Sequence, residues 1–199
     1  MKPRIVLASA SKQRKILMES LDVAFEIIPP DIDEKAVRDA DLKIQSEKIA
    51  RAKAEAVAAR EHGIVIAADT FLEFNGKVLE KPVDIQEARE MLTALSGNTA
   101  ADFTGFCYID REKNIDYSVC VVNEIIFREL TAHEVEAYTA NFPVTTWAGG
   151  VSPAYPYGLS FFKSISGSPS AFSHGFPMDI LIPLLEKSGV KVKPKLLKL

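Results

Sequence analysis

Short runs of apolar residues alternate along the chain with segments in which apolar residues recur every three or four positions. The short runs are rich in β-branched residues and predict strands, whereas the wider spacing predicts amphipathic helices. The predicted strands cover residues 4–9, 23–28, 64–68, 102–110 and 115–128, and the predicted helices cover residues 11–21, 42–60, 84–95, 131–138 and 177–188. Segment 143–176 is rich in glycine, proline and serine and predicts no defined element. Because strands and helices interleave, the pattern predicts an α/β fold with an antiparallel part.

Two hairpins are predicted from local residue types. Asn75-Gly76 lies between two short apolar runs and is the strongest short signal for a tight turn. The second hairpin joins the two long predicted strands. If its turn consists of Lys113 and Asn114 alone, Cys107 and Cys120 face each other across the strands, whereas a longer loop shifts the register. We expect both thiols to be reduced.

Length and composition restrict the classes of protein to which the chain can belong. The 199 residues are 47% apolar and 26% charged, which fits one domain over 1–199, built as two lobes around one cleft. A net charge of −3 argues against a wide basic face for nucleic acid. No run reaches the roughly 18 apolar residues of a membrane span. We therefore expect a cytoplasmic protein with neither a nucleic-acid nor a membrane partner.

The junction between the first strand and the first helix is a candidate anion site. Free N–H groups and the helix dipole favour anions at a helix start. Ser11 can cap that helix or contact a phosphate, and Arg14 lies one turn further on. The alternative is that Ser11 only caps the helix and Arg14 is a surface charge, as is common at such junctions.

Asp69 is the second candidate, because it follows the continuous apolar run of a central strand. Ligands bind α/β sheets at the carboxyl ends of such strands. A carboxylate there can hold Mg²⁺ or accept a proton from water. The alternative is a helix or turn cap, although no helical pattern follows Asp69-Thr70.

Charged residues elsewhere could complete the same site. The stem of Lys53 lies beside an alanine-rich apolar stripe, and Lys81 follows the hairpin that follows Asp69. Taken singly, each lysine fits a surface charge, and the acidic loop that contains Glu34 fits a solvated loop. Taken together, an anion-binding helix start, a carboxylate and scattered lysines suit metal-assisted attack by water on a polyphosphate.

The order of six short motifs resembles the Maf family of nucleoside triphosphate pyrophosphatases. Leu-Ala-Ser-Ala-Ser at residues 7–11 is followed by Ile-Ala-Arg-Ala-Lys-Ala at 49–54 and by Ala-Ala-Asp-Thr at 67–70. The remaining motifs are Leu-Glu-Lys-Pro at 79–82, Leu-Ser-Gly at 95–97 and Phe-Arg-Glu-Leu-Thr at 127–131. The resemblance covers nearly the whole chain.

The resemblance implies a fold, an activity and roles for individual residues. It implies a Maf/ITPase-like mixed sheet with a central cleft between two lobes, and hydrolysis of a nucleoside triphosphate to the monophosphate and pyrophosphate. Mg²⁺ or another divalent cation would assist, and the family suggests a homodimer. By motif position, Asp69 would accept a proton and act in catalysis with Lys53 and Lys81. The substrate-binding residues would be Ser11, Gln13, Arg14, Thr70 and Glu80, and the metal ligands would be Glu34 and Asp69.

The chain departs from the family pattern where the base is bound. Gln13 stands in a position that tunes base choice, Trp147 replaces the usual lysine and Ala154 replaces the usual glutamine. Thr70 favours the dTTP/UTP type over the 7-methyl-GTP type. A nucleotide-binding regulator of the same fold with little or no turnover is the alternative function. A structural or morphogenetic protein is a third interpretation, which gives Asp69 and Lys81 no reason to share a cleft.

Overall fold

The computed structural model describes residues 3–195, which form seven helices, seven strands and three short 3-10 turns. The strands are β1 (Ile5–Leu7), β2 (Glu26–Ile27), β3 (Ile64–Phe74), β4 (Lys77–Leu79), β5 (Thr99–Asp110), β6 (Ile115–Phe127) and β7 (Phe162–Ser166). The helices are α1 (Lys12–Glu19), α2 (Leu42–Ala58), α3 (Ile85–Leu95), α4 (Ala132–Asn141), α5 (Pro156–Leu159), α6 (Pro169–His174) and α7 (Met178–Lys187). None of these helices combines the length and apolar character needed to cross a bilayer.

All seven strands belong to one mixed sheet in the order β2-β1-β3-β5-β6-β7, with β4 paired to β3. β1 runs parallel to β2 and β3, and the other pairs are antiparallel. The predicted α/β class with an antiparallel part is confirmed. β3 extends to Phe74, beyond the predicted end at residue 68, because its second half pairs with β5 and β4.

The Asn75-Gly76 hairpin is confirmed. Both residues have positive φ, 52° and 76°, as a type I′ turn requires. The predicted pairing of the cysteines is wrong. The β5–β6 turn has four residues, 111–114, so that Cys107 lies opposite Ser118 and Cys120 lies opposite Gly105. Both thiols are free.

The longer turn has a local cause in the side chain of Asp110. Its Oδ1 atom accepts hydrogen bonds from the backbone N–H groups of Glu112 and Lys113, at 3.1 and 3.2 Å. This side chain-to-backbone pairing stabilises a wider turn than a two-residue connection provides.

Three apolar clusters cover the sheet. α1 and α7 pack over one face, where Leu7, Phe106 and Leu181 are fully buried. α2 packs over the opposite face through Ala50 and Ala54. α3 and α4 pack with the loop segment 143–161 in a third cluster, next to the far ends of β5 and β6. The clefts described below lie between the third cluster and the other two.

α2 approaches β5 very closely, because Gly105 has no side chain. A Cβ atom at this position would overlap the carbonyl group of Ser46 in α2. Gly105 does not have positive φ, so only this close approach requires glycine. The contact fixes the height of α2 above the sheet, and with it the position of Lys53.

Gly105→Ala should therefore destabilise the fold by roughly 1–3 kcal/mol, the range typical of overpacking. Gly76→Ala is the matched control, because Gly76 has positive φ but open space around its Cβ position. The control should cost about 1 kcal/mol through backbone strain alone. Urea unfolding of both variants measures the two effects, and equal stability of Gly105→Ala and the wild type would contradict the packing account.

Candidate active site

Two adjoining clefts open at the carboxyl end of the parallel pair β1 and β3. One, of about 1150 Å³, is the polar cleft, lined by Glu34, Lys53, Asp69 and Glu80 among others. The other, of about 670 Å³, is the aromatic cleft, lined by Trp147, Tyr155, Phe162 and Phe172 among others. The clefts share Ser11, Arg14, Thr70, Phe71, Lys81 and Ala148. They therefore form one continuous surface with a charged and an apolar part.

All nine residues predicted for the site line these clefts. Eight line the polar cleft: Ser11, Arg14, Glu34, Lys53, Asp69, Thr70, Glu80 and Lys81. Gln13 lines only the aromatic cleft. Ala154 lines neither cleft, although its neighbours Pro153 and Tyr155 line the aromatic one.

The ammonium group of Lys53 joins two carboxylates in the polar cleft. Its Nζ atom lies 2.7 Å from Asp69 Oδ1 and 2.9 Å from Glu34 Oε2. The lysine side chain is only 8% exposed, so the interpretation of Lys53 as a surface charge is wrong. A buried ammonium requires such partners, because an unpaired buried charge is strongly destabilising. The ion pairs thus connect the Glu34 loop, α2 and β3.

The sequence predicts Asp69 at the end of a strand, but the structure places it in the middle of β3. The parallel partner β1 stops at Leu7, opposite Ile66, so that no strand within residues 3–195 pairs with β3 on that side at Asp69. The carboxylate is therefore open to the cleft although its strand continues. Its position within a strand excludes the alternative of a helix or turn cap.

Arg14 is buried and held in one orientation, so its interpretation as a surface charge is wrong. It donates hydrogen bonds to the Gly175 carbonyl at 3.0 Å, to Ser9 Oγ at 3.1 Å and to Thr70 Oγ1 at 3.2 Å. These acceptors are neutral, and burial lowers the pKa of the guanidinium group. Within residues 3–195 no carboxylate bonds to it. A buried cation bonded only to neutral groups favours the approach of an anion.

The helix start beside Arg14 is built as predicted. Ser11 is the N-cap of α1, and its Oγ accepts a hydrogen bond from the Arg14 N–H at 3.4 Å. Gly175 ends α6 in the left-handed conformation, with φ 62°. A Cβ atom there would overlap Thr70 Oγ1, so glycine permits the contact between α6, Arg14 and Thr70.

Further cations line the polar cleft. Lys35, Arg38 and Lys81 are exposed, and within the described part of the chain they form no ion pair. Lys35 and Arg38 were missed in the sequence, since no periodicity or motif distinguishes them from ordinary loop charges. The exposed lysines and arginine leave positive charge available for a polyanion.

The acidic residues fit a cation that arrives with a phosphate ligand. No group of three or more His, Cys, Asp or Glu side chains is arranged to hold a metal in residues 3–195. Glu34 and Asp69 converge on Lys53, however, and each contributes only one oxygen to that contact. Mg²⁺ is usually held by one or two carboxylates together with substrate phosphates. Two carboxylates beside a cationic cleft match that arrangement.

The aromatic cleft contains two pairs of packed rings, one tilted at 43° and one edge-to-face at 82°. The Trp147 ring lies 4.8 Å from that of Tyr155, and the Phe162 ring lies 5.0 Å from that of Phe172. Flat apolar surfaces of this kind suit a planar ring ligand, because stacking on aromatic side chains stabilises such rings. Gln13 adds a side-chain amide, which can both donate and accept hydrogen bonds.

One residue of the aromatic cleft was missed in the sequence. Asp102, on β5, is 6% exposed, and its Oδ2 accepts hydrogen bonds from Asn123 Nδ2 at 2.8 Å and Thr104 Oγ1 at 3.3 Å. Burial raises the pKa of this carboxyl group to about 7. The sequence does contain a signal for this residue. Asp102 lies at the same strand periodicity as Phe106 and Tyr108, on a face where apolar side chains are usual.

The fold and the site together define a class: a mixed α/β protein with a lysine–carboxylate cluster in a polar cleft that adjoins an aromatic cleft. A family model described as Maf-like protein matches residues 4–188. The chain belongs to this Maf-like family.

Several known proteins are similar to the chain. A protein of Clostridium novyi named dTTP/UTP pyrophosphatase is 38% identical over 197 residues, which cover 95% of this chain and 100% of that protein. A protein of Pseudomonas savastanoi pv. phaseolicola named 7-methyl-GTP pyrophosphatase is 32% identical over 191 residues, which cover 96% of this chain and 99% of that protein. The solved structure of the Ham1 protein of Staphylococcus aureus is similar over 62% of this chain and 71% of that chain, with 21% sequence identity and a TM-score of 0.44.

The raised pKa of Asp102 predicts a dependence of stability on pH. Because the folded-state pKa lies above the ordinary value of 3.8, the stability linked to this group is complete below about pH 4 and is lost as the pH rises through about 7. Asp102→Asn does not titrate, so it should gain stability relative to the wild type between pH 5 and pH 8. The expected gain is a few kcal/mol, at about 1.4 kcal/mol per pKa unit.

Urea unfolding at several pH values measures this difference. Asp31→Asn is the control, because it removes the same charge from an exposed loop. A pH-independent difference between Asp102→Asn and the wild type would show that Asp102 titrates normally.

Proposed function

We propose that the protein hydrolyses nucleoside triphosphates to the monophosphate and pyrophosphate, with a preference for dTTP and UTP. The observation that carries the proposal is the Lys53–Asp69–Glu34 cluster in a polar cleft that adjoins an aromatic cleft. The names of the similar proteins, most of them dTTP/UTP pyrophosphatases at 32–38% identity, support it.

In this proposal Asp69 acts on the attacking water. Lys53 binds Oδ1, while Oδ2 accepts no hydrogen bond from the described residues. Oδ2 is therefore available to orient a water molecule and accept its proton. Lys53 fixes the carboxylate in one rotamer, which reduces the reorganisation needed when the water attacks.

The triphosphate would lie in the polar cleft. Lys81 lines both clefts, and so it stands where the phosphate chain joins the nucleoside. Arg14 and the start of α1 at Ser11 provide N–H donors to phosphate oxygens. These cations stabilise the negative charge that develops on the leaving pyrophosphate.

Mg²⁺ or another divalent cation is part of the proposal. Glu34 and Asp69 would hold it together with phosphate oxygens, and when bound it would neutralise phosphate charge and favour departure of pyrophosphate. Glu80, on the same cleft, adds a third carboxylate near the phosphate chain. The backbone carbonyl of Glu80 accepts a hydrogen bond from the Gly149 N–H at 3.1 Å. This bond connects the 143–155 segment to the segment that follows β4.

The base would lie in the aromatic cleft, against Trp147 and Tyr155. Gln13 and Thr70 are polar residues that line this cleft and that the family resemblance assigns to substrate binding. A side-chain amide at residue 13 accommodates more than one base edge. The family resemblance through Thr70 favours the pyrimidine triphosphates.

Three further attributes are proposals of the same kind. The single sheet supports one domain over 1–199, with its two lobes on either side of the clefts. Two free cysteines are consistent with the reducing cytoplasm. A homodimer is proposed from the family resemblance, and light scattering would distinguish it from a 21.9 kDa monomer.

Asp69→Asn should lower turnover by about 10²-fold or more, because the amide cannot accept the proton. The fold should persist, since Lys53 keeps its contact with Glu34. Pyrophosphate release measures the effect, with Glu186→Gln as a control that removes an exposed carboxylate from α7. Full activity of Asp69→Asn would refute the role of this carboxylate.

The enzyme should select weakly among bases. The side-chain amide of Gln13 both donates and accepts hydrogen bonds, so a wrong base still leaves it paired, and rejection depends on groups left unpaired. We expect kcat/KM to favour dTTP and UTP over CTP, GTP and 7-methyl-GTP by less than about 10³-fold under one Mg²⁺ condition. A stronger preference for one base, or a preference for 7-methyl-GTP, would contradict this. Binding without pyrophosphate release would favour the regulatory alternative.

A further inference from the structure

A row of polar side chains crosses the sheet between two apolar clusters and ends in the aromatic cleft. It contains Thr70 of β3, Thr104 and Asp102 of β5, and Asn123 of β6. The register pairs Thr70 with Thr104 and Asp102 with Asn123, so all four side chains lie on one face of the sheet. The Thr70 and Thr104 hydroxyls are 3.2 Å apart, and Thr104 donates to Asp102 at 3.3 Å.

The hydrogen bonds of this row leave acceptors without donors. Both bonds to Asp102 end on Oδ2, and no donor among residues 3–195 reaches Oδ1. Asn123 Oδ1 is buried and likewise has no hydrogen-bond partner in the described part of the chain. Asp102 lines the aromatic cleft, and its Oδ1 is not among the fully buried polar atoms that lack a partner within residues 3–195. Oδ1 is therefore the oxygen of Asp102 that a ligand in the cleft can reach.

The charges around Asp102 come from several elements. Arg14 of α1 is the cation whose charge acts on it, against the larger effect of burial. Lys12, Lys81, Tyr155 and His174 line the same cleft from α1, the segment after β4, the loop 143–161 and α6. Burial lowers the pKa of His174, which lines the same cleft. A test of Asp102 by its pH dependence must therefore distinguish its titration from that of His174.

We infer that Asp102 Oδ1 contacts the exocyclic group of a pyrimidine base in the aromatic cleft and so determines the choice between uracil or thymine and cytosine. The inference rests on the proposed function and adds a specificity-determining residue to it. Cytosine carries an amino group at position 4, whereas uracil and thymine carry a carbonyl oxygen there.

The two forms of the carboxyl group select opposite bases. Protonated Oδ1 donates a hydrogen bond and matches the O4 atom of uracil or thymine, whereas ionised Oδ1 only accepts and matches the N4 amino group of cytosine. Since burial raises the pKa of Asp102 to about 7, both forms are populated near neutral pH. Base preference should therefore change with pH in a range where neither base titrates.

The test is the ratio of kcat/KM for UTP to that for CTP at pH 6 and pH 8. The use of a ratio cancels pH effects on the triphosphate, the cation and the common catalytic step. We expect the ratio to fall by about a hundredfold, because the protonated fraction that serves UTP falls about tenfold while the ionised fraction that serves CTP rises by about the same factor. Asp102→Asn, which keeps a donor that does not titrate, should give the same ratio at both pH values.

His174→Gln separates the two titrating groups. If Asp102 is responsible, this variant keeps the roughly hundredfold fall in the ratio. Loss of the fall in His174→Gln, or its persistence in Asp102→Asn, would overturn the inference. A ratio that is independent of pH in the wild type would overturn it without any variant.

Binding of UMP and CMP, measured by calorimetry at the same two pH values, provides a readout that needs no turnover. The UMP preference should fall with pH in the wild type and stay constant in Asp102→Asn. If no triphosphate is hydrolysed but the binding preference shifts as expected, the proposed hydrolysis fails and the role of Asp102 stands. If triphosphates are hydrolysed but neither ratio shifts, the role of Asp102 fails alone.

Discussion

The contact of Lys53 with Glu34 and Asp69 is the interaction on which the site depends. A buried ammonium must be paired, and both of its partners belong to other segments of the chain. The pairing holds the exposed Glu34 loop against α2 and keeps the Asp69 carboxylate on β3 aligned with the cleft. One charged group thus positions both carboxylates while leaving an oxygen of each available.

The backbone prepares this contact from both sides. α2 reaches the correct height because Gly105 allows it to touch β5. Asp69 is accessible because β1 ends before it, while β3 itself pairs with β5 from Ile64 to Glu73. The opposite face of the same strands carries Thr70 and the polar row that ends at Asp102. The two clefts are therefore built on the two faces of β3 and β5.

Features that depend on neighbouring residues were predictable from the sequence. The Ser11 cap, the Asn75-Gly76 turn and the helical stretch that contains Lys53 follow local rules. Six of the nine site residues lie within the short motifs that carry the family resemblance. Features that depend on distant pairing were not predictable. The extension of β3 needs β5, the burial of Arg14 needs Gly175, and the cysteine register needs the Asp110 turn. Asp102 was missed because its environment comes from Asn123 and the 143–176 segment.

The central claim is that one nucleotide occupies both clefts, with its phosphates in the polar cleft and its base in the aromatic cleft. A crystal structure with Mg²⁺ and a non-hydrolysable UTP analogue tests it most directly. The account predicts phosphate oxygens near Lys81 and Arg14, with the pyrimidine ring beside Trp147 and Tyr155. A base bound in the polar cleft, or a nucleotide bound away from Asp69, would contradict it.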